Sequence, residues 1–407
     1  MSEHVLRPAT DWELRAMVAQ LIEKEVTVEL IGNGTKRTIG RSTSASAMLT
    51  LASLRGVTLY EPTELVMSAL AGTALSQVET ELASRGQMLA FEPVDVAGAI
   101  GAQIGHQTIG GVFATNTSGA RRIQAGAARD HLLGLSGVNG LAEVFKSGGR
   151  VMKNVTGYDV ARALTGSWGT LAAISEVTFK VLPWPDDGVT LVYPDLTEEI
   201  GNELMCAAMG LPYEISGAIH LPVELAQRLE HPALQKHGSS LTALRLENTT
   251  HSVNYRKMQV MEQLKAYGEP LQLDLQDTFA FWGELRRLSV LPFAETCLWR
   301  ISTSPSNGAK VVDTIRRHMP INAMYDWSGG LIWAEVPAAA DAGASEVRRA
   351  VAIHGGHATL IRADEDVRRQ VDVFQPLDTN VARVSREIKK VFDPYRIFNP
   401  GRMYAGM

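Results

Sequence analysis

The feature that most restricts this fold is a run of small residues between Thr108 and Asp159. It opens with Thr108-Ile109-Gly110-Gly111 and continues through Ala114-Thr115-Asn116-Thr117-Ser118-Gly119-Ala120 to Arg129-Asp130. It closes on Gly148-Gly149-Arg150-Val151-Met152-Lys153-Asn154-Val155-Thr156-Gly157-Tyr158-Asp159. Backbone without bulky side chains can approach a large flat ligand closely, and glycine also reaches positive φ. The chain is therefore expected to be built around a buried cofactor.

At 407 residues the chain is too long for one ordinary core, so two domains are expected. A hydrophobic share of 45% with 20% charged residues fits a globular protein. The net charge of −5 offers no basic stripe for phosphates, which excludes a nucleic-acid partner. Two cysteines, Cys206 and Cys297, are too few for a disulfide scaffold or for an iron–sulfur cluster held by this chain alone. No signal peptide and no transmembrane segment is expected. The expected location is the cytoplasm, with any membrane association made through partner subunits.

Residues 27–31 read as a strand, and Gly32-Asn33-Gly34-Thr35-Lys36 comes next as a tight turn. Residues 57–60 and 65–70 read as strands. Ser76 to Glu79 reads as a capping box opening a helix. Residues 132–138 and 141–146 read as a hairpin turned by Asn139-Gly140. Asp159 caps a helix to Leu164, and 177–181 alternates as a strand. Pro183-Trp184-Pro185-Asp186-Asp187-Gly188 is the expected linker. Beyond it, strands at 190–193, 214–220, 241–247, 296–302, 331–336 and 357–362 alternate with helices, as in split βαβ folds. An amphipathic helix from Thr379, with Val381, Val384, Ile388 and Val391 on one face, stops at Phe392-Asp393-Pro394.

The Rossmann fingerprint fits poorly. Gly32-Asn33-Gly34 succeeds a strand, but the third glycine would fall at Arg37 and the first acidic residue is Glu61. No Walker loop occurs. Gly32 to Lys36 could instead form a phosphate nest of successive backbone amides, or be a plain surface turn.

The combination of Gly32-Asn33-Gly34-Thr35-Lys36, Phe91-Glu92-Pro93, Thr108-Ile109-Gly110-Gly111, Arg129-Asp130, the block from Gly149 to Val160, and Phe392-Asp393-Pro394 with Phe398-Asn399-Pro400-Gly401-Arg402 resembles the FAD-binding subunits of bacterial glycolate oxidases. These are flavoproteins of the vanillyl-alcohol-oxidase type. The likeness is densest over residues 27–183 and returns at the tail. It implies an α+β fold: a two-subdomain PCMH-type FAD-binding domain (1–183), a ferredoxin-like α+β cap domain (184–378), and a C-terminal helix and tail (379–407) returning to the first domain.

The resemblance further implies a noncovalent FAD. Gly32, Asn33, Gly34, Thr35 and Lys36 would hold the pyrophosphate. Thr108, Ile109, Gly110, Gly111, Ala114, Asn116, Gly119 and Ala120 would line the ribityl chain and ring, with Arg129 and Asp130 also in the cofactor set. Gly169 and Ile174 would lie near the adenosine, and Asn399 would reach the ring. Asn33 replaces a third consecutive glycine of relatives. His354-Gly355-Gly356-His357 departs from the His-x-His metal site of the sister subunit, so no metal is expected. The implied partners are a sister FAD-linked catalytic subunit and an iron–sulfur subunit, with a small 2-hydroxy acid as substrate.

For the chemistry, His357 and Tyr158 are the candidate bases. His357 could equally be a cation at a helix end, and Tyr158 a packed aromatic. On a strand, Thr359 and Ile361 share the side of His357. Arg245 and Arg300, both mid-strand, are the candidate carboxylate forks, or members of an exposed sheet face. Trp282, Trp299, Trp327 and Trp333 read as core or subunit contacts. Two other functions fit the residues: a structural flavoprotein subunit with chemistry in its sister, or a stand-alone flavin oxidase.

Overall fold

The computed structural model describes residues 5–151 and 157–407, so Met152 to Thr156 of the second small-residue block lie outside the described residues. Helix α1 (Asp11–Glu23) starts where Thr10 accepts from the Glu13 amide at 3.1 Å, and its buried face carries Leu14, Val18 and Leu21. That face packs on a small parallel sheet in which β1 (Val28–Ile31) pairs with β2 (Ala47–Thr50). The C-terminal tail closes this core: the Val28 amide donates to the Ile397 carbonyl and the Asn399 amide to that of Val28, at 2.8 and 2.9 Å.

A second, antiparallel sheet comprises β3 (Val57–Glu61), β4 (Val66–Leu70), β5 (Leu132–Asn139), β6 (Val144–Gly148) and β7 (Ala172–Lys180), in the order β3-β4-β7-β5-β6. Its core holds Phe91, Phe113 and Phe179, all fully buried. Helices α2 (Leu75–Ala83), α3 (Ile109–Thr115) and α4 (Val160–Leu164) belong to this unit, and Asp159 caps α4 as expected by accepting from the Arg162 amide.

Two local expectations fail. The Ser76 capping box does not form; α2 starts at Leu75, whose amide donates to the Gln107 carbonyl at 2.8 Å, so a tertiary bond sets the start. Asn139-Gly140 is not a two-residue turn either. The Asn139 amide closes on the Glu143 carbonyl, and the left-handed residue is Ala142. Glycine is needed at 140 for close approach: a Cβ there would lie 2.3 Å from Asp393 Oδ1.

The chain leaves this unit through Leu182–Pro183, paired with Gln87–Met88, and enters β8 (Asp187–Pro194) after three residues, Trp184-Pro185-Asp186. From β8 onward the chain runs through two successive βαββαβ units. The first is β8, α5 (Glu198–Met209), β9 (Gly217–Leu221), β10 (Leu241–Asn248), α6 (Thr250–Gln263) and β11 (Leu271–Leu273). The second is β12 (Thr296–Ser302), α7 (Gly308–Arg316), β13 (Asn322–Asp326), β14 (Leu331–Pro337), α8 (Ala344–His354) and β15 (His357–Arg362). They merge into one antiparallel sheet, β11-β8-β10-β9-β13-β14-β12-β15, joined where His220 faces Tyr325. Strands β11 and β13, which complete the two units, were not expected from the sequence.

Strand alternation sorts the two faces. Trp299, Ile301, Ala358 and Leu360 pack under α5, α6, α7 and α8. Leu298, Met324, Trp333 and Ile361 face the N-terminal region that precedes β8 and pack with Ile39, Val94, Val96 and Ile100. Helix α9 (Thr379–Phe392) then leads into the tail. No helix among the described residues is long and apolar enough to cross a membrane.

Candidate active site

The two small-residue blocks meet. A Cβ on Gly32 would lie 2.4 Å from Thr108 Oγ1, and Asn33 Nδ2 donates to the His106 carbonyl at 2.9 Å. Thr108 caps α3 by accepting from the Gly111 amide at 3.2 Å. Lys36 Nζ donates to Gln107 Oε1. Gly34 sits at φ +76, a conformation that favours glycine.

Around this junction lies a cavity of about 100 Å³ bounded by Gly32 to Lys36, Thr108, Gly110, Gly111 and Ala114. Gly169, Ile174 and Asn399 also line it. Burial draws the Lys36 ammonium down to about 8, with Asp95 opposing. The groups around the cavity fit a pyrophosphate-bearing ligand: backbone amides, a threonine hydroxyl and one buried ammonium. Arg402 of the C-terminal tail lines the same cavity, with Nη2 donating to the Lys36 carbonyl at 2.7 Å, a role its sequence position did not predict.

A second cavity of about 390 Å³ adjoins the first, and Lys36, Thr115 and Trp168 border both. One wall is the inward face of β14, β12 and β15, carrying Trp333, Arg300, Ser302, His357, Thr359 and Ile361. Register explains the grouping: Arg300 pairs with Trp333 on one side and Thr359 on the other, and Ser302 pairs with His357. The opposite wall brings Asn116 and Arg122.

Arg122 and Arg300 lie over the Trp327 ring, 4.2 and 5.1 Å from its centroid. Trp327 is itself fixed by donating Nε1–H to the Gly119 carbonyl at 2.9 Å. Its backbone and that of Ser328 are left-handed, which commits this short segment to one shape. Among the described residues, neither guanidinium has an ion pair or side-chain hydrogen bond. Burial, then the charge of Arg122, draws Arg300 down to about 10, partly offset by Asp326. His357 stands exposed at the cavity rim, where partial desolvation and then the charges of Arg300, Arg122 and Arg348 lower its pKa below the usual histidine value. The cavity wall thus carries two cations that, among the described residues, have no carboxylate within ion-pairing distance, ready for an anion, and an imidazole shifted toward its neutral form.

Several expected residues lie elsewhere. Tyr158 is 95% exposed and lines neither cavity, because it precedes the short helix α4 at the surface. Arg245 is 1% exposed and occupied: its guanidinium holds both Glu92 oxygens at 2.9 Å and stacks on Trp282 at 4.3 Å. Glu92 is also paired with Arg121, which grips Glu247 in turn, so a buried ion network ties the Phe91-Glu92-Pro93 loop to the large sheet. Arg129 and Asp130 are exposed and serve local bonds: the Arg129 amide donates to Asn116 Oδ1, and Asp130 Oδ2 accepts from the Ala127 amide. Ile109 is core, and Gly110 is small because a Cβ would lie 2.5 Å from Ala71 Cβ. Gly119 and Ala120 pack against Glu92 and the large sheet rather than lining the cavities around Lys36. Asn399 belongs to the first cavity, not the second, accepting from the Leu30 amide and donating to the Trp168 carbonyl at 2.8 Å each.

Trp168 is a site residue that the sequence did not reveal, while Arg121-Arg122 reads in sequence as a contact to FAD phosphate or a partner, or as a surface loop, and Trp333 as a core or subunit contact. For Arg122 the only signal is its position beside the small-residue block; Trp333 stands in register beside Arg300.

Residues 2–148 match the protein family described as FAD binding domain. The chain is 32% identical over 394 residues to glycolate oxidase subunit GlcE of Escherichia coli K12, covering 96% of this chain and 97% of that one. It is 38% identical over 85 residues to glycolate oxidase subunit GlcD of Bacillus subtilis, covering 21% of this chain and 18% of that one. Among solved structures, p-cresol methylhydroxylase with bound substrate superposes with a TM-score of 0.75 at 14% identity, over 98% of this chain and 88% of that one. The fold is therefore that of PCMH-type flavoproteins, as the family resemblance implied.

Proposed function

This chain belongs to the family of the glycolate oxidase subunit GlcE, and from that premise we propose that it is the FAD-binding subunit of an enzyme complex oxidising glycolate, or a related small 2-hydroxy acid, to the 2-oxo acid. The observation carrying the reading is the adjacency of the two cavities, which share Lys36, Thr115 and Trp168 in their walls. It supports one extended cofactor, with the pyrophosphate at Gly32 to Lys36 and the ring at the second cavity. Neither cysteine lines either cavity, and His106 lies outside both, which favours noncovalent attachment.

Bound FAD supplies the two-electron acceptor. The chain's own residues orient and deprotonate. Arg300 and Arg122 hold the substrate carboxylate, and their stacking on Trp327 keeps the two forks in place. His357 takes the hydroxyl proton on a ring nitrogen as the alcohol carbon is oxidised, and Thr359 and Trp333 border the substrate. Electrons then pass to a separate iron–sulfur subunit, since Cys206 and Cys297 cannot hold a cluster.

An absorbance spectrum of the purified chain, followed by acid precipitation, tests the cofactor: yellow supernatant is expected. Anaerobic glycolate should bleach that flavin in the intact complex. A colourless chain that takes up no FAD would overturn the reading. Bleaching left unchanged by His357→Gln would favour a purely structural flavoprotein subunit.

A further inference from the structure

Helix α9 shows its apolar stripe to solvent. Val381, Val384, Ile388 and Val391 are 46, 50, 36 and 68% exposed, while the buried residue is Lys389. Its Nζ donates to Asp393 Oδ2 at 2.7 Å and to the Thr170 and Phe398 carbonyls. The stripe repeats at i, i+3, i+7 and i+10, the narrow spacing of a helix–helix seam. Beside it runs a groove of about 300 Å³ lined by Leu171, Leu377, Ile388, Met403, Tyr404 and Met407. Two residues of that groove, Gly166 and Met403, also line the second cavity. The groove therefore backs directly onto the space proposed for the flavin ring.

We propose that this groove and the ridge of α9 form the docking surface for the redox-partner subunit, and that electrons leave through the Gly166–Met403 wall. The proposal rests on the glycolate-oxidising function proposed for the chain. The two electrons taken from the alcohol pass singly to a one-electron metal carrier of the partner, and the two protons go to solvent. Charge argues for the occupant. On the far side of the stripe α9 carries Arg383, Arg386 and Lys390, against a single Glu387 paired with Lys390. A second copy would set these cations against themselves, whereas an apolar segment flanked by carboxylates meets both sides of the ridge. Shape argues against a bilayer: a flat surface leaves a concave groove empty, and the stripe has no Trp, Tyr or Phe.

The test uses the complex purified through a tag on the iron–sulfur subunit, carrying Val384→Asp with Ile388→Asp, or separately Arg383→Glu with Lys390→Glu. Expected are unchanged flavin content and unchanged bleaching by glycolate in the mutated chain, with recovery on the tag and acceptor turnover down about tenfold or more. Full recovery and turnover in both variants would overturn the proposal. So would flotation of the wild-type chain with anionic vesicles, lost in the variants while the complex stays intact. If glycolate bleaches no form of the chain, the functional reading falls, yet recovery on the tag still decides the docking surface.

Discussion

Arg245 holds both carboxylate oxygens of Glu92 at 2.9 Å across the boundary between the large sheet and the small-residue unit. The pair fixes the two units against each other beside the second cavity. The Glu92 backbone is itself left-handed, so its loop is shaped to present the carboxylate. Removing one partner leaves a buried charge, so Arg245→Met is expected to cost about 3–5 kcal/mol. Denaturant unfolding would measure it. Replacing only one residue of the network should hurt more than replacing Glu92 and Arg245 together by apolar residues.

The same network sets an acid response. Burial alone would raise the Glu92 pKa, but Arg121 and Arg245 beside it hold the carboxyl well below the usual range. A depressed folded pKa contributes stability above the unfolded value of about 4.3, lost as pH falls through the folded value. Glu92→Gln should therefore cost stability at neutral pH and progressively less toward acid. Melting temperatures compared between neutral and strongly acidic buffers check this, and a penalty that stays constant with pH would contradict it.

Gly32→Ala brings a methyl group to within 2.4 Å of Thr108 Oγ1. Thr108 cannot retreat without losing its bond to the Gly111 amide. Flavin content per chain is expected to fall sharply with a smaller loss of thermal stability. Gly149→Ala, whose Cβ would meet nothing within 4 Å, is the control expected to keep its colour.

His357→Gln should slow flavin reduction about 10²–10⁴-fold. In the wild type, partial desolvation and the neighbouring arginines lower the imidazole pKa, so the base is lost only as pH falls below the usual histidine range. Stopped-flow bleaching against pH should show that acid limb, and the variant should lack it.

Arg300→Met should raise KM for 2-hydroxy acids about 10–100-fold, the worth of a charge-assisted carboxylate bond. An uncharged diol of similar size should be affected far less. Equal losses for acid and diol would mean that Arg300 shapes the cavity instead of binding the carboxylate.

Much of the site is legible in the residues, for physical reasons. Small-residue blocks announce close backbone approach to a ligand, and both blocks do border the first cavity, though the contact between Gly32 and Thr108 was not foreseen. Strand alternation placed His357, Thr359 and Ile361 together, as the cavity wall has them. It could not separate Arg245 from Arg300, because both are mid-strand arginines on inward faces and only the loop across the boundary decides which one is neutralised. Tyr158 failed because a motif says nothing about exposure. Strand β11 has three residues at a sheet edge, and β13 reads Asn322-Ala323-Met324-Tyr325-Asp326, with polar ends that hide its pairing.

The doubled βαββαβ plan has a consequence for how such a protein can change. In each half, the pairing of first and third strands contains one arginine stacked on tryptophan: Arg245 opposite Thr190, and Arg300 opposite Trp333. The former is committed to joining the two units. The latter is held by ring stacking alone, with no ion pair among the described residues, so substitutions around it can retune what the enzyme accepts while its twin keeps the architecture rigid.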